Sequence, residues 1–415
     1  MTRKRKSPPK PLQWGLECFG HSLLEGLAGL LPGSWLFHMG EALGGLVWHF
    51  MSLRRMMILR NLRIAFAGEL DFSELQRLAK ATFRRTGGNL ISAAHTARLA
   101  PEKLGDVIHI ENLELLEQAL AGGHGVVLLL SHMGNWEILS RIVHFFPSGA
   151  KAGAFYRPLK NRKLNARVLE RRQADGTRMF SKRDNPLHVA GFLRTGGIVG
   201  ILADQRAGNR GEPVPFFGRL TRVSPLPSLL ARRSKSTVLA LAVTTEKPGK
   251  WRAVFMPVQS PFTTEHCMVA LEQAMKSGPV DVFWFQERWK DYVRKHRGIR
   301  DWLGPESGCG GKPHRALLWL AGMPESWRIP EDWTHPDVGY EAALTEDQEP
   351  PAWLPASTRV HRVPAGGNCR ALKKAIAAMD ESAPLPLDFI LVPGGEDKVL
   401  VNAAGHQAVP VIFLS

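Results

Sequence analysis

The sequence predicts an α/β protein with a mixed central sheet flanked by helices, an N-terminal membrane-associated helical segment and a small C-terminal α/β module. Three observations lead to this. Short apolar runs alternate with segments of helical period between residues 108 and 256, the pattern of layered strands and helices. The first fifty residues are unusually rich in Leu, Gly, Trp and Phe. The charge also changes sign near Gly304: residues 304–415 carry 9 Lys and Arg against 14 Asp and Glu, a net of −5, whereas the remainder carries +21. The expected domains are 1–63, a basic N-terminus with membrane-associated helices; 64–303, the α/β domain; and 304–415, an appended module.

Leu16 to Phe50 is too broken to be a simple spanning helix. Glu25, Pro32, His38 and Glu41 interrupt every window of the roughly 20 residues that a span requires. No small-residue cleavage site closes a compact apolar run, so it does not read as a signal peptide. One or two helices lying in a membrane interface fit better, with Trp14, Trp35 and Trp48 at headgroup depth. Arg3 to Lys6, and then Arg54, Arg55, Arg60 and Arg63, would hold them on an anionic leaflet. A buried helical hairpin is the competing reading.

Residues 71–98 have helical spacing, with Phe72, Leu75, Leu78 and Phe83 on one side. Ile108–Ile110 reads as a strand, and Glu114–Ala121 as a helix stopped by Gly122-Gly123. Gly125-Val-Val-Leu-Leu-Leu130 is wholly apolar, as a central strand covered on both faces should be. Trp136–Phe146 reads as a helix. Further strands are expected at 151–155, 198–203, 238–243 and 251–256, with helices at 161–173, 185–194 and 225–234. Beyond Gly304, strands are expected at 316–321, 359–363, 388–392 and 409–414, a helix at 370–379, and an acidic, Pro-rich loop at 346–355.

Chemistry concentrates in Ser131-His-Met-Gly-Asn-Trp-Glu137. His132 directly follows the buried strand, and strand ends are where open α/β sheets bind ligands. Asn135 is placed to cap the next helix, with Glu137 in its first turn, where the helix dipole favours a carboxylate. A carboxylate returning to one imidazole nitrogen would orient the ring and leave the other nitrogen to accept a proton from an alcohol. A structural histidine at a strand end is the plain alternative.

These residues resemble a family. The motif is similar to that of the bacterial lipid A late acyltransferases, within the broader lysophospholipid acyltransferase superfamily with its His-x4-Asp/Glu pattern. Tyr156-Arg-Pro-Leu-Lys-Asn161, Arg171-Arg172, Ile201-Leu-Ala-Asp-Gln205, Val214-Pro-Phe-Phe-Gly218 and Phe283-Trp-Phe-Gln-Glu-Arg-Trp-Lys290 continue the likeness in order, over about residues 12–300. The resemblance implies transfer of a fatty acyl chain from an acyl-carrier-protein thioester, or acyl-CoA in relatives, to a hydroxyl of a phosphorylated, lipid A-type glycolipid. It implies His132 as base with Glu137 supporting it, no cofactor, and action at the cytoplasmic face of a bacterial inner membrane. Asn135, Arg157, Arg171 or Arg172, Asp204 and Gln205 would bind substrate. Arg157, Lys160, Arg162, Lys163 and Arg167 offer cations for the acceptor's phosphates. A different lipid acceptor, or an inactive lipid-binding scaffold, are the alternatives.

Other chemistries lack their motifs. There is no Gly-x-Ser-x-Gly elbow and no Walker loop, since Gly308-Cys-Gly-Gly-Lys-Pro has neither the spacing nor the hydroxyl residue. Cys18, Cys267, Cys309 and Cys369 have neither metal-ligand nor disulfide-framework spacing, and reduced thiols are expected. A net charge of +16 suits acidic partners, but no nucleic-acid motif accompanies it. In the C-terminal module, Asp388–Gly395, Asn402–Gln407 and Pro410–Leu414 loosely resemble the donor-binding half of heptosyl-type glycosyltransferases.

Overall fold

The computed structural model describes residues 11–181, 184–208, 211–289, 298–303, 311–366, 368–395, 397–407 and 409–414. Arg3–Lys6, Lys290, the expected boundary at Gly304 and Cys309 lie outside the described residues.

Four helices open the chain: α1 (Pro11–Leu30), α2 (Gly33–Phe50), α3 (Ser52–Ala65) and α4 (Phe72–Thr96). Pro32 separates the first two, and its carbonyl accepts the amides of Trp35 and Leu36 to start α2. There follow β1 (Ile108–Glu111), α5 (Leu113–Ala121), β2 (Val126–Leu130), β3 (Lys151–Tyr156), α6 (Arg162–Gln173), β4 (Arg178–Ser181), α7 (Pro186–Arg194) and β5 (Gly197–Leu202). A hairpin of β6 (Glu212–Phe216) and β7 (Arg219–Val223) precedes α8 (Leu226–Ser234), β8 (Thr237–Lys247), β9 (Lys250–Pro257), α9 (Thr264–Lys276) and the short α10 (Ile299–Leu303). The C-terminal elements are β10 (His314–Trp319), β11 (Val338–Thr345), β12 (Arg359–Val363), α11 (Cys369–Glu381), β13 (Leu387–Pro393), α12 (Lys398–Gly405) and β14 (Val411–Leu414). Side-chain caps fix several starts: Asn161 accepts from the amides of Lys163 and Leu164, and Thr263 from that of His266.

Two compact units result, neither continuous in sequence. One comprises Met1–Val47, Thr82–Ala203 and Leu226–Phe283; the other, Trp48–Ala81, Asp204–Pro225 and Trp284–Ser415. In the first, seven strands run in the order β1-β9-β8-β2-β5-β3-β4, parallel except for the β8–β9 pair. The central strand β2 is buried along its whole length between β5 and β8, as its unbroken apolar run predicts. α2 crosses α4 backbone to backbone: a Cβ on Gly40 would sit 2.3 Å from the Gly87 carbonyl oxygen, and one on Gly87 would sit 2.2 Å from that of Gly40. Among the described residues, no helix is long and apolar enough to cross a membrane.

In the second unit, five parallel strands run β12-β11-β10-β13-β14, a doubly wound order that reverses between β10 and β13. α11 and α12 cover one face, while Leu220, Ile299 and Leu303 pack on the other. β11 was absent from the sequence expectation because Gly339 and Glu341 interrupt its apolar pattern. The Glu341 carboxylate is satisfied inside the fold by Arg315 and by His361 at 2.7 Å. Burial pushes its pKa up, but these two partners outweigh burial and hold it below the usual value.

Two of the cations expected at a membrane are turned inward instead. Arg60 pairs with Asp388 at 2.6 Å, and the buried Arg63 pairs with Asp380 at 2.5 Å while also donating to the backbone carbonyls of Asp380, Ala383, Pro384 and Leu385. Leaving water costs a guanidinium free energy, and this set of fixed acceptors offsets that cost in a geometry that a membrane surface does not offer. Cys18, Cys267 and Cys369 are free thiols, and burial pushes Cys267 up to about 12.

Asp388 also accepts Arg219 and the Arg315 amide, with the buried His314 ring 3.5 Å away. Burial first, then the Arg219 charge, hold the His314 pKa well below its usual value, so the neutral ring donates from Nε2 to the Leu220 carbonyl. The unfolded chain takes up a proton near pH 6.5 that the folded unit refuses. This contribution to stability is therefore complete above that pH and shrinks below it, by up to about 1.4 kcal/mol per pH unit. The urea-unfolding midpoint should fall between about pH 7 and pH 5, and less steeply in His314→Gln. An equal slope in both proteins would assign the effect to other groups.

Candidate active site

The site begins where β2 ends. Beyond Leu130 the chain turns through Ser131, His132, Met133 and Gly134, with Gly134 at φ +54°. A Cβ on Gly134 would lie 2.4 Å from the Val243 carbonyl oxygen of β8, so both the left-handed conformation and the close approach require glycine. The turn is clasped by the segment after α9. Phe283 N–H donates to the His132 carbonyl at 2.7 Å, Gly134 N–H donates to the Asp281 carbonyl at 2.9 Å, and Met133 and Val282 form an antiparallel bridge between them. The backbone is thus fixed on either side of His132.

Asp281 anchors the clasp from beneath. Its buried carboxylate accepts the Thr245 amide at 2.9 Å, the Thr245 hydroxyl at 2.5 Å and Asn89 Nδ2 at 3.1 Å, with Arg85 3.5 Å away. Asn89 in turn accepts the Trp251 indole N–H at 2.7 Å. Side chains from α4 and β8 therefore converge on Asp281, and β9 joins the network through Asn89. The sequence reading missed Asp281, since its only signal was an acid in an otherwise apolar stretch.

The His132 ring is half-buried against aromatic edges. Trp136 meets it edge-on at 5.4 Å between centroids, Phe283 lies at 6.5 Å, and those two lie 5.5 Å from each other. Phe283, the first residue of the last block in the family likeness, thus lies against His132.

The expected helix after the turn is a run of 3₁₀ turns, Trp136–Phe145. Its winding is held by Arg141, which donates to Asp175 at 2.7 Å and to the Thr96 and Leu99 carbonyls, and by the Ser140 hydroxyl on the Glu137 carbonyl. Burial raises the Asp175 pKa, but the hydrogen bonds from Arg141 and His144 prevail and lower it. Asn135 does not cap this run. It is buried, and its Nδ2 donates to Thr96 Oγ1 at 3.0 Å, which draws the side chain away from the amides it was expected to meet. Asn135 Oδ1 and Ser131 Oγ are buried beside His132 with no partner among the described residues.

Glu137 is gripped by Arg172 of α6 at 2.6 and 3.1 Å, a two-pronged pair of half-exposed groups (33% and 26%). Among the described residues, the hydrogen bonds of this carboxylate go to Arg172 and none goes to His132. Arg171 faces the other way and pairs with Glu25 of α1. Of the two neighbouring arginines, Arg172 is therefore the one joined to the motif. Arg157, Lys160, Arg162, Lys163 and Arg167 are exposed, with Arg167 donating to the Ser22 hydroxyl at 2.7 Å.

Asp204 and Gln205 belong to the second unit. There Asp204 is buried and accepts Arg288 at 2.6 Å, while Gln205 is exposed. Burial lowers the Arg288 pKa and the Asp204 charge opposes that shift. Among the described residues, no group of three or more His, Cys, Asp or Glu side chains is arranged to hold a metal ion.

The clasp can be tested directly. Asp281→Leu would strand the part-buried amide of Thr245 and the buried Asn89 donor, at a cost of about 2–5 kcal/mol. Urea unfolding should show the midpoint fall accordingly. An unchanged midpoint would mean that the turn does not depend on Asp281.

Residues 3–291 match the family model described as bacterial lipid A biosynthesis acyltransferase. A search of individual curated proteins found no match. The chain belongs to the bacterial lipid A biosynthesis acyltransferase family and is an acyltransferase.

Proposed function

We propose that this acyltransferase moves a fatty acyl chain from an acyl-carrier-protein thioester to a hydroxyl of a lipid A-type glycolipid, with His132 as general base. The observation that supports this most is the fixed placement of His132: a half-buried imidazole at the end of a buried strand, clasped on both sides and edged by aromatic rings. In the proposed step, an imidazole nitrogen takes the proton of the acceptor hydroxyl as its oxygen attacks the thioester carbonyl. The C–S bond then breaks, and the leaving thiolate recovers that proton from the imidazolium. Glu137, positioned by Arg172, stabilises the positive charge that the imidazole gains. Arg157 and the exposed cations around α6 engage the acceptor's phosphates. Asn135, Asp204 and Gln205 are assigned the substrate-binding roles that the family resemblance implies, with Arg171 only the alternative to Arg172.

The chain is proposed to work at the cytoplasmic face of the inner membrane, lying on the bilayer through α1. The amphipathicity of this helix is inverted relative to a soluble protein. Leu12, Leu16, Phe19 and Leu23 form an exposed stripe (79% and 68% at Leu12 and Phe19), whereas Trp14, Glu17, Ser22 and Glu25 make the contacts to Asn161, Arg167 and Arg171 of α6 and its cap. An apolar stripe directed outward, with the polar face directed inward, fits burial in the headgroup and acyl boundary.

Two measurements test this reading. With acyl-carrier-protein thioester and an under-acylated lipid A precursor, mass analysis should show product from the wild type. His132→Ala should lower the rate by about 10²–10⁴ or more, and Glu137→Gln by less. Product from a different lipid acceptor alone would move the acceptor assignment, and equal rates in His132→Ala would remove the base. In vesicle sedimentation, Leu16→Glu/Phe19→Glu should weaken binding to neutral and anionic vesicles alike. Unchanged binding would place the membrane contact elsewhere.

A further inference from the structure

α3 and the first half of α4 enclose a groove of about 760 Å³ within the second unit. Each helix faces it with residues at positions i, i+3, i+4 and i+7: Ser52, Arg55, Met56 and Leu59 from α3, and Ser73, Gln76, Arg77 and Lys80 from α4. Trp48 and Ala79 complete the lining. None of these residues is acidic and three are cationic. Among the described residues, no carboxylate forms an ion pair with Arg55, Arg77 or Lys80. Arg55 instead lies over the Trp48 ring, 5.4 Å from its centroid. The chain beside the groove leaves Phe50 78% and Leu53 63% exposed.

We propose that this groove binds one anionic membrane phospholipid. Its phosphate would meet Arg55, Arg77 and Lys80, with Ser52, Ser73 and Gln76 as further donors, and an acyl chain would lie along Trp48, Met56 and Leu59. Charge selects the class of ligand: three cations and no acid line one concavity, and although the Asp71 carboxylate nearby feels the Arg77 charge, none of the three is tied up in a close ion pair among the described residues, so the lining attracts an anion. The apolar lining selects a lipid over a free anion. The volume is that of a small-molecule site, too small for a folded partner's surface. Phe50 and Leu53 would enter the bilayer from which the lipid comes. This site is separate from His132 and from the α1 stripe, and it holds whether or not the acceptor assignment does. It makes the enzyme prefer anionic bilayers, a property that the α1 stripe alone does not confer.

The test uses the full chain with vesicles of phosphatidylcholine, with and without phosphatidylglycerol, and native mass spectrometry of the detergent-solubilised protein. The wild type should favour the anionic vesicles and retain a one-to-one phosphatidylglycerol adduct. Arg77→Glu/Lys80→Glu, both exposed positions, should lose the preference by roughly fivefold or more per cation removed. Gln76→Trp, which fills the groove without altering charge, should lose the adduct. Thermal melting checks that each variant is folded. A retained preference in the double variant, or a retained adduct in Gln76→Trp, would overturn the proposal. So would inorganic phosphate displacing the adduct at concentrations comparable to the lipid, because the site would then be one for a free anion. Binding of an acidic protein with no lipid adduct would also overturn it. Leu16→Glu/Phe19→Glu should lower binding to both vesicle types and leave the preference intact, which separates this site from the α1 contact.

Discussion

The geometry around His132 depends on one backbone constraint: the turn after β2 is held against residues 281–283 by two hydrogen bonds and a bridge. A histidine at the end of a strand would ordinarily sample several positions. Here Gly134 lets the chain pass within reach of β8, and Asp281 ties the opposing segment to Thr245, Asn89 and, through Asn89, Trp251. Substituting any of these supports would shift the imidazole, and in the proposed role as general base a displacement of about an ångström would matter. Trp136 and Phe283 edge this fixed ring, with centroids 5.4 and 6.5 Å from it.

α6 links three features that are unrelated in sequence. Its cap Asn161 and its cations Arg167 and Arg171 take the polar face of α1, and Arg172 takes Glu137. This sharing leaves the apolar stripe of α1 outward and holds the Glu137 carboxylate in one orientation. A helix that looks like a plain solvated cationic surface is therefore partly committed, and its uncommitted charges, Arg162 and Lys163, remain exposed.

The second unit is organised around buried charge. Asp388 of β13 takes Arg60 from α3, Arg219 from β7 and the Arg315 amide from β10, while Asp380 takes Arg63. Removing one member would leave a buried charge without its partner, so these groups specify how α3 lies on the parallel sheet even where their net contribution to stability is small. With Arg60 and Arg63 committed there, Arg55 is left facing the groove between α3 and α4.

The amino-acid sequence alone determined the layered α/β class, the buried central strand and the position of His132 after it. These are legible because hydrophobic burial imposes local, periodic patterns: a strand covered on both faces must be apolar throughout, and Val126–Leu130 is. The family was also legible, because its blocks recur in order. The tertiary structure decided which charges meet. Arg172 rather than Arg171 reaches Glu137 across 35 residues, and Arg60 and Arg63 find carboxylates 328 and 317 residues away, where composition suggested a membrane. Asn135 turned from an expected cap to a bond with Thr96, and an expected helix wound as 3₁₀ turns around Arg141. Electrostatic and hydrogen-bond partners are set by proximity in the folded chain. No period in the sequence encodes them, so they became visible only once the strands and helices were in place.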